Sequence, residues 1–337
     1  MPAPTTATSR APRASTLSPR QRLRRRVLLG AILALEVVML GYAGASVMVA
    51  MALTAPTPSS RPITQTPAAW GLLYQTVSFP SRSDHLLLRG WLMPGLLPDG
   101  TQTVQRTIIV VHGIPGNRSS VLRVSATLVQ HGFAVLALDL RGNGESAPAP
   151  RSWGEFEQRD IIGAVDFLQT GALPFPLLGR PRVIGGWGMS LGASTLLLAA
   201  AAEPAIRAIV SDSAFADAAA VVRSRWEQQR LPSWLLPGAL LAGQLLYGVN
   251  DDQARPVAVV AQIAPRPILF IHGTADSSVP IANMNHLVAA ASQPPNAHVQ
   301  TWKVPGAEHV QALSLMPEAY VQRMVAFYQS ALGPDSR

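Results

Sequence analysis

The 337-residue sequence contains no cysteine, a single lysine (Lys303) and few charged residues, which make up 14% of the chain. Without cysteine there can be no disulfide, no thiolate nucleophile and no cysteine-ligated metal. The net charge is +8, but the arginines form no basic helix with interleaved aromatic residues, so no nucleic-acid partner is expected. No group of histidines and carboxylates has the spacing of a metal site, and no cofactor is expected.

Apolar residues are abundant instead, at 48% of the chain with a mean hydropathy of +0.21. Part of this excess is one continuous segment, residues 27–53, whose only charged residue is Glu36. As a helix the segment would be about 40 Å long, which exceeds the thickness of the hydrocarbon core of a bilayer, about 30 Å. The sequence therefore predicts a transmembrane helix over 27–53. Glu36 is then either a partner contact within the membrane or a tolerated, protonated side chain.

The flanks of this segment differ in charge. Residues 1–26 are predicted to be a disordered basic tail, with five arginines between positions 20 and 26, whereas only Arg61 lies close on the other side. This asymmetry predicts a single-pass protein with a cytoplasmic N-terminus and an extracytoplasmic main domain. A cleaved signal peptide is the alternative, because small residues near Ala50 and Ala52 would permit cleavage, although such peptides have shorter apolar regions.

Residues 54–70 read as a proline-rich linker, and residues 71–337 as one folded domain. Two apolar runs at the start of this domain, LLYQTVSF and HLLLRGWLM, resemble an antiparallel strand pair. Continuous apolar runs of strand length then recur near 107–113, 133–140, 182–188, 205–212, 267–273 and 298–304. Helical segments near 119–131, 153–169, 190–202, 281–292 and 317–332 separate most of them. This alternation predicts a doubly wound, mostly parallel α/β sheet with its ligand site at the carboxyl ends of the strands.

One connection is too long for a simple crossover. Residues 218–264 predict helices broken at Pro232 and Pro237, and we interpret them as a small helical lid. Five apolar residues of the lid either line a substrate pocket or pack the insertion onto the sheet: Trp226, Trp234, Leu235, Leu236 and Leu240.

The stretch GWGMSLG places Ser190 between Gly188 and Gly192, where an apolar strand gives way to a helix. A serine at this junction could cap the helix N-terminus. It could also be a nucleophile on a tight turn, which requires small neighbours and leaves its Oγ exposed.

A serine nucleophile needs a base, and the base needs an orienting carboxylate. Asp276 follows one predicted buried strand and His309 follows the next, so both can converge on Ser190. Asp212, after an earlier strand, is the alternative acid. Two further histidines that precede glycines at strand ends are expected to be structural loop residues: His112 and His272.

These motifs, in the order Ser190, Asp276, His309, resemble the α/β-hydrolase superfamily over residues 73–332. The resemblance implies a serine hydrolase with an oxyanion hole formed by the backbone N–H groups of Leu191 and Ile114. It implies an esterase or lipase acting on a small-molecule or lipid-like acyl substrate through an acyl-enzyme. A peptidase of the prolyl-oligopeptidase type and a non-catalytic binding protein of the same fold remain alternatives.

Overall fold

The computed structural model describes residues 18–55 and 62–333, and these contain an eight-stranded sheet in the order β1-β2-β6-β5-β7-β8-β9-β10. Strand β2 runs antiparallel to both of its neighbours, and the remaining pairings are parallel. The predicted doubly wound, mostly parallel sheet and its opening antiparallel pair are therefore confirmed. The strands of this sheet are β1 (Gln75–Pro80), β2 (Leu87–Met93), β5 (Arg106–Val111), β6 (Ala134–Leu138), β7 (Val183–Met189), β8 (Ile206–Asp212), β9 (Ile268–Gly273) and β10 (Val299–Val304). Two short strands, β3 (Gly95–Leu96) and β4 (Gln102–Thr103), form a separate hairpin.

Helices cover both faces of the sheet. One apolar core lies between the sheet and α3, α4 and α8, and a second lies between the sheet and α2 and α10. Every residue of β5 is buried, as expected for a central parallel strand covered on both faces. These helices are α2 (Leu122–Gln130), α3 (Gln158–Thr170), α4 (Leu191–Ala202), α8 (Ala282–Ala291) and α10 (Pro317–Leu332), and a short helix, α9 (Ala312–Leu315), precedes the last of them.

The lid, residues 218–264, is the helical connection between β8 and β9. It contains α5 (Ala218–Gln228), α6 (Leu236–Tyr247) and α7 (Pro256–Val259), with 3-10 turns at Ser233–Leu235, Asp251–Gln253 and Val260–Ile263. The expected break occurs at Pro232, but Pro237 does not break a helix. It lies in the first turn of α6, where proline is tolerated because its missing N–H would have no helical partner.

The N-terminal helix, α1 (Pro19–Thr54), is longer than the predicted segment 27–53. The expected disordered tail over residues 1–26 is therefore wrong for residues 19–26, while residues 1–17 lie outside the described residues. The physical reason is an N-terminal capping box: Ser18 accepts from the backbone of Gln21, and the Gln21 side chain accepts from Ser18 N–H. Within the described ranges, α1 is the one helix long and apolar enough to cross a bilayer, as either an anchor or a signal sequence would.

The end of α1 packs directly on the lid. Ser46, Ala50 and Thr54, spaced four residues apart, are its buried residues, and Ser46 and Thr54 lie against Gly238 and Gly243 of α6. Outside the lid, Thr54 carbonyl accepts a 3.0 Å hydrogen bond from Arg151 N–H. The interpretation of 54–70 as a plain linker is therefore corrected at both ends. Thr54 belongs to the helix, and Pro67–Trp70 forms a 3-10 turn, whereas residues 56–61 lie outside the described residues.

This contact also explains two of the five lid residues singled out above. Trp226 and Leu235 are buried, and they form a small apolar core with Ala239 and one face of α1 that includes Val49 and Leu53. They pack the lid against α1 rather than against the sheet. Trp234 is largely exposed, and Leu236 and Leu240 line a cavity within the lid.

Candidate active site

Ser190 lies in the sharp turn between β7 and α4. Its backbone has φ 53° and ψ −124°, a conformation that L-residues rarely adopt and that costs free energy unless the surroundings impose it. Although Ser190 occupies the N-cap position of α4, its side chain makes no capping hydrogen bond. Its Oγ instead lies 2.8 Å from His309 Nε2. The geometry thus favours the second of the two interpretations, a hydroxyl held for a base.

The glycines around Ser190 are required by close backbone approaches. A Cβ added at Gly188 would lie 2.6 Å from the carbonyl oxygen of Gly192, and one added at Gly192 would lie 2.6 Å from the carbonyl oxygen of Val111. A Cβ added at Gly113 would lie 3.0 Å from Ser190 Cβ. Real Cβ atoms do not tolerate the first two contacts. Because these glycines have no side chain, the turn that carries Ser190 can pack against the end of β5.

His309 and Asp276 complete a continuous hydrogen-bonded chain. His309 Nδ1 lies 2.7 Å from Asp276 Oδ2, while Nε2 of the same ring faces Ser190. His309 follows β10 and Asp276 follows β9, and their parallel strands end at the same edge of the sheet. The structure therefore brings together the three residues that the sequence singled out.

The loop after β9 holds Asp276 in place as a carboxylate. Its Oδ1 accepts hydrogen bonds from Ser278 N–H at 3.0 Å and Val279 N–H at 2.8 Å. Burial raises the pKa of Asp276, but hydrogen bonds from His272, His309 and the Val279 backbone lower it by more, so the net pKa lies well below its ordinary value.

His272 was expected to be a loop residue, but it lies within β9, next to its last residue, and it contacts the acid. Its Nε2 lies 2.7 Å from the carbonyl oxygen of Val279 and 3.3 Å from Asp276 Oδ2. Sequence reasoning missed this second contact. The four-residue spacing from His272 to Asp276 was the available signal.

Asp212, the alternative acid, has other partners. It accepts hydrogen bonds from the Tyr320 hydroxyl at 2.8 Å and the Ser213 hydroxyl at 2.9 Å. Burial raises its pKa above the ordinary value in spite of these bonds. His309 Nδ1 points to Asp276, so the geometry favours Asp276 over Asp212 as the orienting acid.

A family model for the α/β hydrolase fold matches residues 106–241, from the start of β5 to α6 and including Ser190. The chain therefore has the α/β hydrolase fold. YfhR from Escherichia coli K12 is 27% identical over 265 residues, which cover 78% of this chain and 83% of YfhR.

Solved structures of α/β hydrolases share this architecture. The esterase Pf2001 of Pyrococcus furiosus has a TM-score of 0.65 at 23% identity, over 83% of this chain and 99% of the esterase. The acylaminoacyl peptidase of Pyrococcus horikoshii has a TM-score of 0.58 at 15% identity, over 79% of this chain and 43% of the peptidase. At these sequence identities the two comparisons show a shared fold and nothing further.

The residues expected to form the oxyanion hole lie beside the Ser190 turn. Ile114 and Leu191 line one cleft together with Arg151 and Ala55, the residue that follows α1. Leu191 is the first residue of α4, so its N–H belongs to the positively polarised end of that helix.

A buried histidine fixes the loop that carries Ile114. His112 Nε2 lies 3.1 Å from the N–H of Leu140, and its Nδ1 lies 2.7 Å from the carbonyl oxygen of Gly113. Burial lowers the pKa of His112, which keeps the ring neutral, with Nε2 accepting and Nδ1 donating. The expected structural role of His112 agrees with these contacts.

Another contact that supports the candidate site, made by Ser213, was not predicted from the sequence. The Ser213 hydroxyl, besides donating to Asp212, accepts from Val310 N–H at 3.3 Å, next to His309. Ser213 and Val310 both have positive φ, of 57° and 53°. Strain of this kind gathers where a backbone is held for function, and here it flanks His309.

Proposed function

We propose that the protein is a serine hydrolase that cleaves ester-type acyl substrates through an acyl-enzyme intermediate. The observation that carries the proposal is the chain of short contacts from Ser190 Oγ through the His309 ring to Asp276, at 2.8 and 2.7 Å. Such a chain activates a hydroxyl that is otherwise a weak nucleophile.

In the proposed reaction, Ser190 Oγ attacks the substrate carbonyl carbon while its proton moves to His309 Nε2. Asp276 accepts a hydrogen bond from Nδ1–H and stabilises the imidazolium. The N–H groups of Leu191 and Ile114 would stabilise the oxyanion. The leaving alkoxide then takes the proton from Nε2, and water, deprotonated by the same nitrogen, releases the acid and regenerates Ser190.

An ester is favoured over a peptide as substrate. The match to the Pf2001 esterase spans 99% of that chain, whereas the match to the acylaminoacyl peptidase spans 43% of the peptidase. We expect turnover of p-nitrophenyl esters across a series of acyl chain lengths and little hydrolysis of aminoacyl naphthylamides. Faster hydrolysis of the amides would favour the peptidase, and absence of both activities together with absence of fluorophosphonate labelling would favour the binding-protein alternative.

We further propose that α1 is an uncleaved membrane anchor with a cytoplasmic N-terminus, so that the hydrolase domain is extracytoplasmic. The five arginines at positions 20–26 support this orientation. The packing of Ser46, Ala50 and Thr54 on the lid argues against cleavage, because removal of α1 would expose the apolar core around Trp226 and Leu235.

Topology and processing are tested by two measurements on cells. External protease should degrade the hydrolase domain in spheroplasts before lysis, and mass spectrometry of the mature protein should find residues N-terminal to position 27. Protection until lysis would contradict the orientation. A mature chain beginning near residue 53 would identify α1 as a signal peptide.

A further inference from the structure

Lid helix α6 has the reverse of the pattern expected for a helix in water. It buries its small residues Ala239, Ala242 and Gly243, and its Leu241 and Leu245 are 56% and 76% exposed. A helix on a water-soluble protein buries its large apolar side chains instead. Small residues at the helix contact and large apolar residues outside are typical of helices packed within a membrane.

The surface of α1 that receives α6 has the same character. Its buried residues, Ser46, Ala50 and Thr54, are small and lie on one face. Gly238 of α6 approaches so closely that an added Cβ would lie 2.5 Å from the Tyr42 hydroxyl oxygen and would also clash with Ser46. The closest approaches between the two helices are therefore made by small residues.

The depth of this contact follows from the length of α1. If the membrane core begins after Arg26, about 20 residues of helix cross it, which brings the outer boundary near Ser46. The Tyr42 hydroxyl donates to Trp234 carbonyl at 3.3 Å, and the two rings are 5.8 Å apart. Trp234, which is 63% exposed, then lies at the outer boundary, where tryptophan and tyrosine are enriched.

The lid continues the apolar surface of α1 towards the active site. Leu53, Trp153 and Val222 line cavities along the seam between α1 and the lid. Trp153 and Val222 belong to the same apolar cluster as Leu191, and Ile114 packs against it. An acyl chain following this seam would meet apolar side chains as far as the expected oxyanion hole.

From these observations we infer that the lid is a second membrane-contacting element: the surface formed by Trp234, Leu241 and Leu245 contacts the outer interface of the bilayer beside α1, with Trp234 deepest. The occupant of this surface is the lipid bilayer, because Trp234 joins the surface to the exposed apolar face of α1 at Tyr42, close to the outer boundary. The site thereby takes acyl esters that reside in the membrane. This inference rests on the proposed anchor and hydrolase activity, and it specifies the substrate class.

The absence of native cysteine makes a direct test possible in the full-length chain. Trp234→Cys, Leu241→Cys and Leu245→Cys carry a nitroxide label, and each variant is reconstituted in phosphatidylcholine vesicles. The matched control is Leu177→Cys, since Leu177 is 99% exposed and precedes β7, at the sheet edge opposite Ser190. We expect the ratio of oxygen to nickel-chelate accessibility to be severalfold higher at the three lid positions than at Leu177, and highest at Trp234.

Equal water accessibility at all four positions would overturn the inference. Shielding of the lid labels from both oxygen and nickel chelate, dependent on protein concentration, would overturn it as well, because a second copy of the chain would then cover the surface.

Activity provides a second measurement. For Leu245→Glu we expect a loss of about tenfold in kcat/KM on a long-chain ester embedded in vesicles, as for a charge held near the bilayer interface, with p-nitrophenyl acetate turnover unchanged. Leu177→Glu should alter neither rate. An equal loss on both substrates would contradict membrane delivery. If the wild type neither hydrolysed p-nitrophenyl acetate nor reacted with fluorophosphonate, the hydrolase proposal would be contradicted instead. The oxygen and nickel-chelate accessibility ratios would still test whether the lid contacts the membrane.

Discussion

Replacing Ser190 with alanine should lower kcat for ester hydrolysis by about 10⁴–10⁶-fold and abolish labelling by a fluorophosphonate probe. The reason is that the hydroxyl 2.8 Å from His309 Nε2 is the atom proposed to form the acyl-enzyme. The residual rate would come from the oxyanion donors and substrate binding alone. The measurement is steady-state kinetics on p-nitrophenyl esters, combined with mass spectrometry of the probe-treated protein.

A matched serine separates this effect from loss of folding. Ser125 is buried in α2, where its hydroxyl donates to Val121 carbonyl at 2.9 Å, and it lies outside the proposed site. Ser125→Ala should retain both activity and probe labelling. Labelling that persists in Ser190→Ala, on any residue, would contradict the assignment of the nucleophile.

Asp276→Asn should lower kcat by about 10³–10⁴-fold, because an amide at this position favours the wrong tautomer of His309. Asp212→Asn is the matched control, since it makes the same chemical change in a neighbouring buried carboxyl. Burial raises the pKa of Asp212, so the loss of its charge should cost little. The amide oxygen can accept the hydrogen bond from Tyr320, and the amide nitrogen then faces the Ser213 hydroxyl, which can accept from it. We expect activity within a few fold of wild type for Asp212→Asn. The reverse ranking of the two variants would transfer the role to Asp212.

The same pair of variants gives a stability measurement. The pKa of Asp276 is lowered in the folded protein, so its carboxylate stabilises the fold above the unfolded pKa of about 3.9, and this contribution is lost as pH falls below that value. The free energy of unfolding should therefore fall less steeply between about pH 5 and pH 2 in Asp276→Asn than in the wild type. An unchanged slope would contradict the stabilised carboxylate.

The positions of Ser190, Asp276 and His309 could be predicted because each follows a strand of apolar pattern, and parallel strands end at one edge of a sheet. The local sequence at each strand end therefore predicted a contact between residues that are far apart in the chain. The same logic fails for Ser213 and Tyr320. Tyr320 reaches Asp212 from α10 across a separation of 108 residues, and no periodicity in either segment specifies that contact.

The start of α1 was predictable in principle but was missed. Ser18, Pro19 and Gln21 form a capping-box signature before an apolar run, although the proline- and serine-rich stretch that precedes them dominated the interpretation. The packing of the lid, in contrast, could not be predicted from the sequence. Because α6 is apolar on every side, its periodicity does not show which face contacts protein, and the contact with α1 decides it.

Contact between α1 and the lid joins parts of the chain that are synthesised far apart. Tyr42 and Trp234 are separated by 192 residues, which is about 10–40 s of translation at typical rates. During that interval the lid-binding face of the anchor helix would be uncovered at the outer surface of the membrane. Thr54 already satisfies its own hydroxyl by donating to Ala50 carbonyl at 2.6 Å, and small, weakly polar residues are tolerated by lipid and protein alike. The lid-binding face of α1 is thus suited first to the membrane surface and later to contact with the lid. The lid can dock only after the nucleophile turn and the strands before it have left the ribosome.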